Sequence, residues 1–122
     1  MILGVGTDIL EIERLRETIE RQGQPFLDRV FTPIEQRYCN QYNDRVLRYA
    51  GRFCVKEAVM KSFGAGVGQG LSWLDIEVTN AESGQPQARL TEKALQRYPN
   101  AQVMISLSHC KTHATAVAIR TQ

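Results

Sequence analysis

The stretch Gly51-Arg-Phe-Cys-Val-Lys-Glu-Ala-Val-Met-Lys-Ser-Phe-Gly64 lies in the middle of a chain of 122 residues and decides its organisation. We predict a helix from about residue 45 to residue 63 that stops at Gly64, because glycine commonly follows the last helical residue. Small residues at positions 50, 54 and 58 are four apart and share one helix face. The stretch therefore predicts a long helix with one side on which another element packs closely.

Glu57 and Lys61 are four residues apart, so their side chains leave the same face of this helix. One interpretation is a surface ion pair, which stabilises a helix by only about 0.2–0.5 kcal/mol, and the spacing alone favours it. The other interpretation is a carboxylate that holds a cation beside an ammonium group. That combination suits a phosphate with a divalent metal.

A glycine-rich segment, Gly64-Ala-Gly-Val-Gly-Gln-Gly70, follows the helix. Its bare backbone N–H groups are suited to cradle phosphate oxygens, although a flexible turn after a helix has the same composition. The segment lacks the G-x-x-x-x-G-K-[ST] motif of P-loops. Its glycines also follow a helix, whereas those of dinucleotide-binding loops follow a strand. A glycine run alone is weak evidence for a phosphate site.

Toward the N-terminus, residues 2–7 alternate apolar residues with glycine and predict a buried strand. Asp8 stands at the end of this strand. An aspartate between a strand and a helix can cap the helix. Next to a backbone that glycines make flexible, it can instead serve as a metal ligand. The residues themselves leave both interpretations open.

Residues 11–22 predict the first helix. Its apolar stripe consists of Ile12, Leu15 and Ile19. Arg14 and Arg21 are seven residues apart and share another face of this helix. They are either solvated charges neutralised by neighbouring glutamates, or a docking edge for an acidic partner helix.

Capping, turn and alternation patterns predict the remaining elements. These are a helical turn over 25–30, a helix from 33 to about 41, strands over 74–79 and 87–90 joined as a hairpin, a short helix up to 98, and strands over 102–108 and 113–120. The chain is therefore predicted to have an α+β fold, with helices packed on a small antiparallel sheet. We expect a single domain over residues 1–122.

The composition excludes several classes of protein. Hydrophobic residues make up 43% of the chain and charged residues 23%, which is ordinary for a globular domain. The net charge of +2 is too small for a nucleic-acid-binding protein, which usually carries a dense basic stripe. No apolar run approaches the roughly 20 residues needed to span a bilayer. We therefore expect neither nucleic acid nor a membrane as a partner.

Three cysteines, Cys39, Cys54 and Cys110, are widely spaced. An odd number without a pairing pattern indicates free thiols in a reducing compartment, so we expect a cytoplasmic protein. A zinc site that uses Cys110 with His109 and His113 is the alternative. The lack of a second ligand pair at a zinc-like spacing argues against it.

The segment Ser106-Leu-Ser-His109 ends a predicted strand, and alternation places Ser106 and Ser108 on one face. They are either ordinary polar residues before a turn, or contacts to a phosphate or an adenine with His109 as a donor. A serine hydrolase is disfavoured, because no nucleophile elbow of the form G-x-S-x-G occurs.

Together, and in this order, these features resemble the holo-acyl-carrier-protein synthases, which are small 4′-phosphopantetheinyl transferases. The matching stretches are Gly4-Val-Gly-Thr-Asp-Ile-Leu-Glu11, Gly51-Arg-Phe-Cys-Val-Lys-Glu-Ala-Val-Met-Lys-Ser-Phe-Gly-Ala-Gly-Val-Gly68, Leu71-Ser-Trp-Leu-Asp-Ile-Glu77 and Ile105-Ser-Leu-Ser-His109. Their spacing and the total length agree with the family. The resemblance implies the 4′-phosphopantetheinyl transferase fold and transfer of phosphopantetheine from coenzyme A to a serine of apo acyl-carrier protein, which supports fatty acid biosynthesis.

The resemblance also implies roles for individual residues. Asp8 and Glu57 match the family's Mg²⁺ ligands, and Lys61 matches the lysine near the transferred phosphate. The residues implied to hold coenzyme A are Lys61, Gly64, Gly66, Gly68, Ser83, Gly84, Pro86, Ser108 and His109. Arg14 matches the residue that docks an acidic carrier-protein helix, and Arg21 shares its face. The base for the serine proton is left open between a metal-bound water and a carboxylate.

The family commonly forms trimers with sites between subunits, so we expect a homotrimer. One departure concerns the family's basic residues before the long helix, near the 3′-phosphate of coenzyme A. Asn43-Asp44 stands in that place here, followed by Arg45 and Arg48. Two other functions are a binding module without catalysis and a metal-dependent phosphohydrolase. The intact carboxylate pair with Lys61 argues against the binding module.

Overall fold

A computed structural model describes residues 1–64 and 70–122 of the chain. Its elements, in chain order, are β1 (Ile2–Glu11), α1 (Ile12–Gln22), α2 (Gln24–Val30), α3 (Pro33–Cys39), α4 (Arg45–Ser62), β2 (Ile76–Asn80), β3 (Pro86–Leu90), α5 (Glu92–Arg97), β4 (Gln102–His109) and β5 (His113–Thr121). Strands β1, β5 and β4 form one antiparallel sheet in that order, and β2 pairs with β3 in another. The predicted α+β class is confirmed.

Helix α4 lies against the inner face of the three-stranded sheet and contacts all three strands. The small residues predicted to form its packed side are fully buried. Gly4 and Gly6 of β1 lie directly on the carbonyl oxygens of Ser62 and Ala58, and a Cβ at either glycine would clash with this helix backbone. The prediction of a closely packed helix side is therefore confirmed, and the elements that pack there are β1 and β5.

The other helices close the core beside α4. The predicted apolar stripe of α1 is buried. At the start of α3, the Thr32 hydroxyl accepts a hydrogen bond from the Glu35 N–H (3.3 Å), and the Glu35 carboxylate accepts one from the Thr32 N–H (2.8 Å). The capping box is thus confirmed. No helix in residues 1–64 and 70–122 has both the length and the apolar character required to cross a membrane.

Two strands had predicted boundaries that were wrong by two or more residues. Strand β1 does not end before Asp8 but continues to Glu11, because its last residues pair with the start of β5, with Asp8 opposite Ala116. Glu11, not Asp8, precedes the first helix, so Asp8 is not a helix cap. The hairpin strand starts at Ile76 rather than at 74, because Trp73–Asp75 forms a 3₁₀ turn closed by the Asp75 carboxylate.

Candidate active site

Asp8, Glu57 and Lys61 come together where β1 crosses α4. The Lys61 ammonium donates hydrogen bonds to the Thr7 carbonyl oxygen (3.0 Å) and to Asp8 Oδ1 (3.3 Å). The side chain of Asp8 is only 9% exposed, whereas that of Lys61 is 56% exposed. Lys61 thus pairs with a carboxylate on another element, and the close approach at Gly6 makes this meeting possible.

The two carboxyl groups of this cluster interact electrostatically. Burial raises the pKa of Glu57 to about 7, and the hydrogen bond to Asp8 and its charge act in the same direction, while Lys61 acts against them. Two carboxylates held together in partly buried surroundings repel each other. A cation bound between them would remove that repulsion, so the arrangement favours one.

The ligand set fits a hard divalent cation such as Mg²⁺. Mg²⁺ is usually held by one or two carboxylates together with waters and substrate phosphates. Within residues 1–64 and 70–122, no three His, Cys, Asp or Glu side chains are grouped to hold a metal, so Asp8 and Glu57 would be a two-carboxylate site. The nearby Cys54 is a poor ligand, because burial and Asp8 raise the pKa of its thiol to about 12.

The hairpin between β2 and β3 carries Ser83, Gly84 and Pro86. Ser83 and Gly84 are exposed at its tip, where Gly84 has a φ of 89°, a value that favours glycine. The Asn80 side chain donates a hydrogen bond to the Gly84 carbonyl oxygen (2.9 Å) and fixes the tip. Pro86 begins β3 and lines a cavity of about 590 Å³ between β3 and β4. The tip is therefore ordered and open to a ligand.

Ser108 and His109 end β4 and are both exposed. His109 borders a cavity of about 410 Å³ whose walls include Arg16 and Lys111. Gly64 follows the C-terminal end of α4 with a φ of 68°. The other two glycines predicted to hold coenzyme A, at positions 66 and 68, lie outside the described residues.

Within one chain, the predicted site residues fall into two groups. Asp8 lies on β1 and His109 on β4, and these strands are the two edges of the sheet, with β5 between them. The hairpin also packs on the β4 side. The structure thus joins Asp8, Glu57 and Lys61, with Gly64 one turn beyond, and it places the hairpin tip and His109 toward the other edge.

Arg14 and Arg21 are both exposed on α1, away from its buried stripe. In the described part of the chain, the ion pair of Glu13 is made with Arg16, at 3.3 Å, rather than with Arg14. Glu13, one of the three glutamates expected to neutralise the arginines, therefore pairs elsewhere, and among the described residues Glu17 and Glu20 make no ion pair with Arg14 either. This leaves the Arg14 guanidinium facing solvent.

Comparisons with known proteins place the chain in a family. A model of the 4′-phosphopantetheinyl transferase superfamily matches residues 4–118. The chain belongs to this superfamily. It is 46% identical over 119 residues to the holo-[acyl-carrier-protein] synthase of Protochlamydia amoebophila, with 98% of each chain covered. It is 44% identical to that of Chlamydia pneumoniae, with 97% of this chain and 96% of the relative covered.

Solved structures of such transferases have the same fold. The holo-[acyl-carrier-protein] synthase of Neisseria meningitidis matches with a TM-score of 0.91 at 28% identity, and both chains are fully covered. The Helicobacter pylori enzyme, solved in complex with coenzyme A, matches with a TM-score of 0.87 at 30% identity over 96% of this chain and 99% of that chain. The predicted family and transferase fold are confirmed, and the chain is an enzyme of the holo-[acyl-carrier-protein] synthase type.

Sequence reasoning on this transferase missed two buried charges in α4. Arg52 is 4% exposed, its guanidinium lies 4.0 Å from the centre of the Tyr38 ring, and it donates a hydrogen bond to Asn80 beneath the hairpin tip. Its Nε has no hydrogen-bond partner among the described residues. Lys56 is fully buried, and burial lowers its pKa while the Glu35 carboxylate opposes this. The sequence did offer a signal for these two buried charges, because Arg52 and Lys56 are basic residues in a helix that was predicted to be closely packed.

Proposed function

We propose that the chain transfers 4′-phosphopantetheine from coenzyme A to a serine hydroxyl of apo acyl-carrier protein. The serine oxygen bonds to the phosphorus next to pantetheine, the bond from that phosphorus to the bridging oxygen breaks, and adenosine 3′,5′-bisphosphate leaves. The serine proton is released. The observation that carries this proposal is the meeting of Asp8, Glu57 and Lys61 at one point between β1 and α4.

Each residue of this cluster has a role in the proposal. Asp8 and Glu57 would hold Mg²⁺, and their shared, partly buried position supports this role. When bound, such a metal would neutralise charge on the pyrophosphate. Lys61 orients the transferred phosphate, and its anchor on the Thr7 carbonyl and Asp8 keeps its ammonium at the site.

Coenzyme A is proposed to lie along the glycine-rich segment after Gly64, with Ser83, Gly84 and Pro86 near its adenosine end and Ser108 and His109 as polar contacts. The exposed, ordered hairpin tip and the cavity beside Pro86 support this placement. Arg52 is held beneath the hairpin through Asn80, and its Nε, which has no partner among the described residues, supports a role in phosphate binding.

The second substrate is proposed to dock on α1. Arg14 and Arg21 are exposed on one face, and opposite charge across an interface steers association. An acidic helix of the carrier protein fits this face. The enzyme would thereby supply holo carrier protein for fatty acid biosynthesis in the cytoplasm.

The active species is proposed to be a homotrimer. The outer face of the three-stranded sheet supports this, since Val5, Ile119 and Met104 lie side by side across it. Val5 is 58% exposed and Met104 is 60% exposed on either side of Ile119, and an exposed row of apolar side chains of this kind marks an interaction surface. Contact between copies would cover this face and could bring the β4 edge of one copy to the β1 edge of another.

Incubation of apo acyl-carrier protein with coenzyme A, Mg²⁺ and the enzyme tests the proposal by mass spectrometry. We expect the carrier protein to gain one phosphopantetheine group on a serine, with one adenosine 3′,5′-bisphosphate released for each. The same incubation with Asp8→Ala is the control and should leave the carrier unmodified. Release of phosphate without modification would instead indicate a phosphohydrolase, and binding without any product a non-catalytic module.

A further inference from the structure

A buried ion pair lies on the side of α4 that faces away from the three-stranded sheet. Lys56 Nζ is 2.7 Å from Glu35 Oε1, and both side chains are fully buried. The ammonium also donates hydrogen bonds to the carbonyl oxygens of Trp73 (2.9 Å) and Ile76 (2.6 Å). An ammonium group has three protons, so each of them has a partner in this pocket.

Both oxygens of the Glu35 carboxylate also have hydrogen-bond partners. It accepts hydrogen bonds from the backbone N–H of Thr32 at 2.8 Å and from that of Val78 at 2.7 Å, in addition to the contact with Lys56. The pair therefore ties together the start of α3, the 3₁₀ turn, the start of β2 and the middle of α4. Four separate elements meet at two side chains.

Stability alone is a weak reason for such a pair. Taking two charges out of water costs about as much as their attraction returns, and apolar replacements of similar volume are often neutral or stabilising. The best supported role of buried polar groups is to fix how elements sit relative to one another. The pair is therefore expected to align α4 with the elements around it.

On the opposite side of α4, no interlocking side chains set the register of the helix against β1. There the helix meets β1 through Gly4, Gly6 and Ala58, which have small side chains or none. Lys56 directly precedes Glu57, and a helix rises only about 1.5 Å per residue. Any rotation or sliding of α4 at Lys56 therefore moves the Glu57 carboxylate relative to Asp8 by nearly the same amount.

We propose that Lys56 and Glu35 are positioning residues of the active site: their buried pair fixes the rotation and height of α4 so that Glu57 faces Asp8. This inference rests on the proposed function, because it concerns the same carboxylate site. Neither side chain touches substrate. They act by tying α4 to α3 and β2 at the point next to the metal-binding carboxylate.

The test is the double variant Lys56→Met/Glu35→Leu, which replaces the pair by apolar side chains. We expect the circular dichroism spectrum to be retained and the melting temperature to stay the same or rise. The kcat for carrier modification should fall by about 100-fold, as expected for a misplacement of about 1 Å, while the KM for carrier protein stays unchanged. Mg²⁺ affinity, measured by calorimetry on the enzyme alone, should fall roughly 10-fold.

Val55→Ala is the matched control, since Val55 is fully buried on the same helix but makes no polar link. It should lower the melting temperature while Mg²⁺ affinity and kcat stay near wild type. A folded double variant with wild-type kcat and Mg²⁺ affinity overturns the inference. If the double variant does not fold, Glu35→Gln takes its place, and wild-type values there overturn the inference equally.

The calorimetric measurement of Mg²⁺ affinity distinguishes a failure of this inference from a failure of the proposed function. A wild-type enzyme that fails to modify carrier protein refutes the proposed function. Weaker Mg²⁺ binding in the double variant would still support the positioning role in that case, and unchanged binding would refute it.

Discussion

The contact of β1 with α4 predicts the consequence of one added methyl group. In Gly6→Ala, the new Cβ would clash with the Ala58 carbonyl oxygen and approach the backbone N of Ser62. Both atoms belong to helix backbone, so no side-chain rotation relieves the clash. The strand and the helix must separate by more than about 1 Å, and overpacking of this kind typically costs 1–3 kcal/mol, or about 5–15 °C in melting temperature at this chain size.

The same separation of β1 from α4 would also lower the catalytic rate. Asp8 follows Gly6 by two residues on the same strand face, and Glu57 immediately precedes Ala58, so the movement opens the site between the two carboxylates. A misplacement of about 1 Å can cost about 100-fold in rate. We therefore expect kcat for carrier-protein modification to fall by roughly that factor at a temperature where the variant is fully folded.

Gly51→Ala is the matched control for this prediction. A Cβ at Gly51 would lie 3.4 Å from the terminal methyl group of Leu107, which is an ordinary contact. Alanine is favoured over glycine inside a helix by roughly 0.5–1 kcal/mol. Calorimetry should therefore show this variant to be slightly more stable, with unchanged kcat. A Gly6→Ala protein with wild-type stability and kcat would refute the argument that close backbone contact builds the site.

Three further predictions concern the metal, the carrier protein and the assembly. Asp8→Ala and Glu57→Ala should each lower activity by orders of magnitude at ordinary Mg²⁺ with little change in melting temperature, and near-normal turnover in either would contradict the metal assignment. Arg14→Glu should raise the KM for carrier protein, leave that for coenzyme A unchanged and weaken the salt dependence; unchanged values would remove Arg14 from the docking surface. Met104→Lys should yield monomers in sedimentation velocity together with loss of activity, whereas a fully active monomer would contradict the trimeric site.

Local patterns predicted those features whose cause lies within a few residues. The capping box at Thr32, the end of α4 before Gly64 and the buried stripe of α1 all depend on neighbours three or four positions away, and all three were predicted. Glu57 and Lys61 were likewise placed on one helix face from their spacing. Their electrostatic partner was not predictable from spacing, because Asp8 lies on a different element.

The features that were missed depend on distant parts of the chain. Strand β1 extends to Glu11 because β5, more than a hundred residues later, supplies the pairing partners. Glu35 was recognised only as a helix cap, since nothing near it in the sequence indicates that its second oxygen meets the Val78 N–H, 43 residues away. Long-range pairing of this kind leaves no local periodicity.

The two lysines of the Lys-Glu-Ala-x-x-Lys segment show most directly which features cannot be predicted from local sequence. Lys56 and Lys61 are five residues apart, which on a helix separates their side chains by about 140°. One is fully buried and the other has a side chain that is 56% exposed. Helical spacing predicts that they face different ways, but the choice of the buried side is set by Glu35 and Asp8. The sequence thus specifies which lysine is buried and which lies at the candidate site only through the partners that the fold brings to them.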